Sequence, residues 1–152
     1  MTVLEFTSPD GFDKEHRHQF EAKAPSWVHV VASGSAPLSL TIGTSDEFWE
    51  EYDVHLVVGP WWRDVQVVVP FVTMNGFHQN DWDEVDQAGW VIRDLSWDTV
   101  GGNQAPHLDE ERIRLKFVVS VKGEGSFVMR IGYYFTAAGR RLGVEGLDSP
   151  SW

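Results

Sequence analysis

The chain of 152 residues has no cysteine, which excludes a disulfide framework and any thiolate metal or redox centre. It is poor in positive charge, with 12 Lys and Arg against 23 Asp and Glu, a formal net of −11. A field of that sign opposes nonspecific nucleic-acid binding, which rests on basic side chains neutralising phosphates. No apolar run approaches the length of a membrane span, and the opening MTVLEFTSPDGFDKEH lacks the basic start and long apolar stretch of a secretory signal. The sequence therefore predicts no nucleic-acid partner and no membrane span. A cytoplasmic location is the default, with signal-independent export or a virus or phage particle as the other settings. Also missing are a GxSxG elbow, an HExxH pair and a phosphate-binding glycine loop. The expectation is a protein that is not an enzyme.

What is present suits a folded core. Apolar residues make up 42 % of the chain and eight tryptophans are among them, too many for a disordered segment. Period-two alternation dominates, as in Leu38, Leu40 and Ile42 or Val54, Leu56 and Val58, cut by Gly and Pro. Such patterns mark half-buried strands. Strands are predicted at 2–7, 18–24, 26–33, 37–43, 52–59, 63–73, 90–97, 111–121 and 126–136, with one short helix at Ser45–Tyr52. The fold class is all-β: a single antiparallel β-sandwich of jelly-roll or Greek-key type, with roughly eight or nine strands. Residues 1–138 form the domain and 139–152 a C-terminal tail. Pro70 lacks a ladder donor, so its strand must bend, bulge or lie at an edge.

The last two strands carry apolar sets at Ile113, Leu115, Phe117, Val119 and Val121, and at Phe127, Met129, Ile131, Tyr133 and Phe135. Read as a hairpin, these sets share one sheet face, which places Lys122 opposite Ser126 with Gly125 in the left-handed loop position. Arg112, Arg114, Lys116, Arg130 and Tyr134 then share the outer face. That face suits an anionic ligand or an acidic subunit surface. Charge is uneven along the chain: residues 75–111 hold nine acids and one base, residues 112–142 seven bases and one acid.

The 74–89 connection, MNGFHQNDWDEVDQAG, concentrates His78, Asn80, Asp81, Trp82, Asp83 and Asp86. An indole beside carboxylates and amides can stack on a pyranose while the polar groups bind its hydroxyls. Trp61 and Trp62, adjacent in an extended chain, point to opposite faces, so one of them leaves the core. These eight residues are the predicted ligand site. No cofactor is expected; calcium is the alternative, at Asp81, Asp83 and Asp86, where oxygen ligands cluster without the full calcium-loop pattern. The function these features favour is a non-catalytic, lectin-like carbohydrate-binding module, with a carbohydrate or other small ligand as partner. The alternative is an assembly protein that homo-oligomerises through the basic C-terminal hairpin face and acidic loops. Third is a small carboxylate-based hydrolase or lyase.

Overall fold

The structure, a computed structural model, describes residues 2–8, 14–19, 27–42, 49–79, 89–105, 107–122 and 125–141. They form eight strands and no helix: β1 (Thr2–Thr7), β2 (Lys14–Gln19), β3 (Trp27–Ile42), β4 (Trp49–Trp62), β5 (Asp64–Gln79), β6 (Gly89–Gly101), β7 (Glu111–Lys122) and β8 (Gly125–Arg140). Sheet A runs β1-β4-β7-β6 and sheet B runs β2-β3-β8-β5. The two layers enclose one core cluster, whose largest fully buried side chains include Trp62, Phe117, Phe135, Leu56, Ile113 and Leu115. This is a two-sheet β-sandwich. None of the described residues forms a helix long and apolar enough to cross a membrane.

Alternation sets the inward residues. On β4, Tyr52, Val54, Leu56 and Val58 are buried, and on β7 Ile113, Leu115, Phe117, Val119 and Val121 are buried with them. From sheet B, Val28, Val30 and Ala32 of β3 meet Met129, Ile131, Tyr133, Phe135 and Ala137 of β8 in the same cluster. Burying each large aliphatic or aromatic side chain is worth roughly 1.5–3 kcal/mol. One close contact shows the sheets meeting directly. Gly59 of β4 has a φ of 79°, and a Cβ there would lie 2.5 Å from the Phe135 ring of the opposite layer. Glycine alone fits both the left-handed backbone and the ring beneath it.

Several sequence expectations change. β7 and β8 are not a hairpin. β7 pairs with β4 and β6, and β8 pairs with β3 and β5, so Lys122 lies opposite Trp49 and Gly89, while Ser126 lies opposite Thr41. Their apolar sets do share a destination, but they reach it from opposite layers. The sandwich is not antiparallel throughout, because β1 pairs with β4 in parallel. A parallel pair needs a long crossover, and β2 and β3 supply it by way of the other sheet. The segments 26–33 and 37–43 merge into β3 over Trp27–Ile42; of the 18–24 strand, His18 and Gln19 belong to β2 and 20–24 lie outside the described residues. The predicted helix is overturned where it is described: Trp49–Tyr52 belong to β4, with Tyr52 opposite Val119 and its ring in the core. Gly139 and Arg140, assigned to the tail, complete β8. Residues 142–152 and the loop residues Gly123 and Glu124 lie outside the described segments. Pro70 behaves as its chemistry requires, since β5 is the edge strand of sheet B and carries irregularities at Val65/Val67 and Met74/Gly76.

Replacing Gly59 by alanine should destabilise the domain by about 2–4 kcal/mol, from backbone strain plus the clash with Phe135. Thermal denaturation should record a fall of roughly 5–10 °C. A melting temperature unchanged from wild type would contradict the packing of Phe135 against Gly59.

Candidate functional site

The outward faces of the two sheets differ in kind. On sheet A, Asp98 of β6 accepts two hydrogen bonds from Arg114 of β7, at 2.7 Å and 2.5 Å, and a contact of 3.2 Å from Lys116. The Arg114 guanidinium holds the Asp98 carboxyl below its ordinary range, against the opposing effect of partial burial; Lys116 adds to the shift. Arg114 is raised in turn, chiefly by Asp98. Arg93 pairs with Glu51 and, at 3.0 Å, with Asp94, which sits at a φ of 59° in the β6 irregularity between Arg93 and Ser96. Cross-strand pairs of opposite charge are the ordinary way to cover a solvated sheet. Asp94 and Asp98 are thus both held by neighbouring cations.

Sheet B presents a different surface. Its register lines up Ser33 of β3, Tyr134 of β8 and Phe71 of β5 in one row, then Ser35, Gly132 and Thr73 in the next. Phe71 is 62 % exposed and Tyr134 45 %, large aromatic areas for a surface that nothing obliges to be apolar. Between Met74 and Gly76 the β5 register slips, leaving Asn75 without a partner position on β8. A bulge of this kind re-aims a side chain, and here the Asn75 amide lies over Gly132, where any Cβ would collide with it. The result is an open depression of about 550 Å³ whose lining includes Ser33, Ser35, Phe71, Thr73, Asn75 and Tyr134. Two aromatic rings thus stand beside two serines, a threonine and an amide. That mixture of one apolar platform with a few hydrogen-bonding groups is what orients a small polar ligand.

Of the predicted site residues, the structure settles several placements. Trp62 is fully buried in the core and touches no ligand surface. Trp61 is the outward member of the pair. It stacks on His107 with ring centroids 4.1 Å apart and planes 8° from parallel, and the Arg112 guanidinium lies 5.7 Å from its centroid. The basic face divides. Arg114 and Lys116 belong to sheet A, Arg130 and Tyr134 to sheet B, because β7 and β8 occupy opposite layers. Arg112 is buried. It donates to Gly59 O at 3.0 Å, Ser8 O at 2.5 Å and Ser8 Oγ at 2.6 Å, tying the end of β1 to β4 and β7. Outward on the alternation, it is roofed by these neighbours and serves the fold. His78 lies in β5 with its side chain outside the described set, and Asn80, Asp81, Trp82, Asp83 and Asp86 lie outside the described residues, the calcium candidates included. Among the described residues no three His, Asp or Glu side chains group as a metal site.

Phe71, Thr73 and Asn75 are not among the residues the sequence singles out, yet a signal exists. In VQVVVPFVT both alternation sets are apolar, while Pro70 marks an edge strand. An edge strand apolar on both faces must expose one of them unless something covers it.

The Asp98 pair makes a pH prediction. Its folded-state value lies below the ordinary 3.8, so its stabilisation is complete above about pH 4 and is lost as pH falls through the lowered value. Asp98→Asn should cost about 0.5–1 kcal/mol at pH 7. Between about pH 4 and pH 2 it should flatten the loss of stability seen in the wild type. Denaturant unfolding across that range tests both, and parallel pH profiles for the two proteins would contradict the pairing.

The chain matches no protein-family model, no curated protein and no solved structure, and its functional reading rests on this geometry.

Proposed function

We propose that this chain is a non-catalytic carbohydrate-binding module whose ligand lies across the outer face of sheet B. The observation that carries the reading is the exposed pair Phe71 and Tyr134, opposite each other on adjacent strands, beside Asn75, Thr73, Ser33 and Ser35 in one open depression. A pyranose has an apolar face of C–H groups and a rim of hydroxyls. Its apolar face stacks on the exposed rings. Its hydroxyls donate to the Asn75 carbonyl oxygen or to the serine and threonine oxygens, and accept from the Asn75 amide N–H and the same hydroxyls. The site is assembled by β-sheet register, so the groups are held at fixed spacing before the ligand arrives, which lowers the ordering cost of binding. Of the tryptophans expected as sugar platforms, Trp82, Trp61 and Trp62, burial removes Trp62, and this reading places the platform on the sheet face instead. The acidic segment with Trp82 follows β5 in sequence and lies outside the described residues.

A second reading has its own support. From Val65 to Gln79 the edge strand β5 holds no Asp, Glu, Lys or Arg, and Val67 and Val69 are 52 % and 60 % exposed. Natural edges are usually protected by charge, so this one also suits self-association. The expected assembly surface then shifts from the basic C-terminal strands to β5.

Affinity electrophoresis against soluble neutral and acidic polysaccharides tests the first reading. At least one polymer should retard the wild-type protein. Phe71→Ala and Tyr134→Ala should each weaken that binding about tenfold, with melting temperatures close to wild type because both side chains are on the surface. Retardation by none of the polymers, or loss in Trp82→Ala with Phe71→Ala unaffected, would overturn the sheet-face site. Sedimentation velocity separates the second reading: a dimer at about 100 µM that Val69→Lys makes monomeric supports assembly through β5, and a monomer throughout removes it.

A further inference from the structure

The charge on sheet B points to the class of sugar. From the row of His29, Ala138 and Val67 to the row of Pro37, Arg130 and Gly76, the outward positions of β3, β8 and β5 carry no acidic side chain. The chain as a whole has nearly two acids for every base, and the outward face of sheet A carries Glu5, Glu51, Asp53 and Asp98. Among the described side chains, carboxylates are thus kept off this part of the sheet B face. Beside it stands Arg130, exposed on the same face of β8 as Tyr134 and two outward positions beyond it. Gly76, next to the Asn75 bulge, leaves room for the Arg130 stem, which lies 3.6–3.8 Å from where a Cβ would be. Arg93, Arg114 and Lys116 are each paired with carboxylates and Arg112 is buried, whereas Arg130 faces solvent with no anion among the described side chains of these outward rows. A guanidinium fork matches a carboxylate in geometry and charge.

We propose that the sheet-face site takes an acidic polysaccharide built of uronate sugars, with Arg130 meeting a ring carboxylate while Phe71 and Tyr134 stack on neighbouring rings. The proposal rests on the carbohydrate reading above and narrows it. Along β8 the Cα atoms of Arg130 and Tyr134 are about 13 Å apart, a span that several linked pyranoses cover. Arg130 is the one cation among the described side chains at these positions of β3, β8 and β5, which suits a polymer with at most one charge per sugar. A densely sulfated chain would meet the remaining field of a protein of net charge −11.

The test uses the full chain and three uronate polymers (polygalacturonate, alginate and hyaluronan), with methyl-esterified polygalacturonate and a neutral xylan as uncharged comparisons. Titration calorimetry should show at least one uronate polymer bound about tenfold more tightly than the uncharged ones. Where that polymer is polygalacturonate, esterification should remove the advantage. Arg130→Gln should reduce the preference to within about twofold while leaving the weaker binding to uncharged polymers intact, and Arg130→Lys should restore part of it. Phe71→Ala should weaken charged and uncharged polymers alike. Equal binding of charged and uncharged polymers, or a preference that survives in Arg130→Gln, overturns the uronate assignment and leaves the carbohydrate reading standing. Binding of xylan alone, lost in Phe71→Ala, has the same meaning. Binding of no polymer in the set overturns the uronate assignment and counts against the carbohydrate reading as well.

Discussion

The burial of two alternating apolar rows in one core, Ile113 to Val121 on β7 and Met129 to Ala137 on β8, is the constraint from which the other features follow. β7 and β8 are inner strands of their own sheets. Because the two rows come from opposite layers, every second residue of each strand is pushed to one of two separate outer faces. Trp62, Phe117 and Phe135 fill the space between the layers, and Gly59 gives up a side chain so that the Phe135 ring can reach β4. One end is closed by cations over indoles. Arg112 lies by Trp61, and Arg141 donates to Trp61 O at 3.1 Å with its guanidinium 5.9 Å from the Trp62 ring centroid.

Alternation told which residues face inward, and it did so well: the apolar sets of β4, β7 and β8 are the core wherever their side chains are described. It could not tell which sheet each strand joins. Period-two burial is unchanged when a strand moves from one layer to the opposite one, so the β7–β8 hairpin and the cross-layer connection share one sequence pattern. That ambiguity explains why Arg114 and Lys116 part from Arg130 and Tyr134. Arg112 failed for another reason. Its outward position is covered by residues distant in sequence, Ser8 and Gly59, and burial of that kind leaves no periodic mark. The Trp61–Trp62 pair was legible as one inward and one outward ring, but not which was which. Extending the alternation of Val54, Leu56 and Val58 by two more steps does reach Trp62, the buried ring, across the Gly59–Pro60 break that made such an extension unsafe.

The two outer faces differ in what they leave to solvent. Sheet A satisfies its own charges: Asp98 holds Arg114 and Lys116, and Glu51 holds Arg93. Sheet B leaves Phe71, Tyr134 and Arg130 to solvent around a depression shaped by register and one bulge. The pairing edge of β5 is interrupted by Pro70 and by the Asn75 bulge, while its apolar rings remain exposed on the outer face.

Ligand binding on the outer face of sheet B is open to an amide NMR titration of the labelled chain with polygalacturonate oligosaccharides, and with xylo-oligosaccharides in a second series. Shifts should be confined to Ser33–Ser35, Phe71–Asn75 and Arg130–Tyr134, with Arg93–Asp98 and Arg112–Val118 of sheet A unmoved. Shifts centred on sheet A or on residues 80–88, with those sheet B amides still, would contradict a sheet-face site.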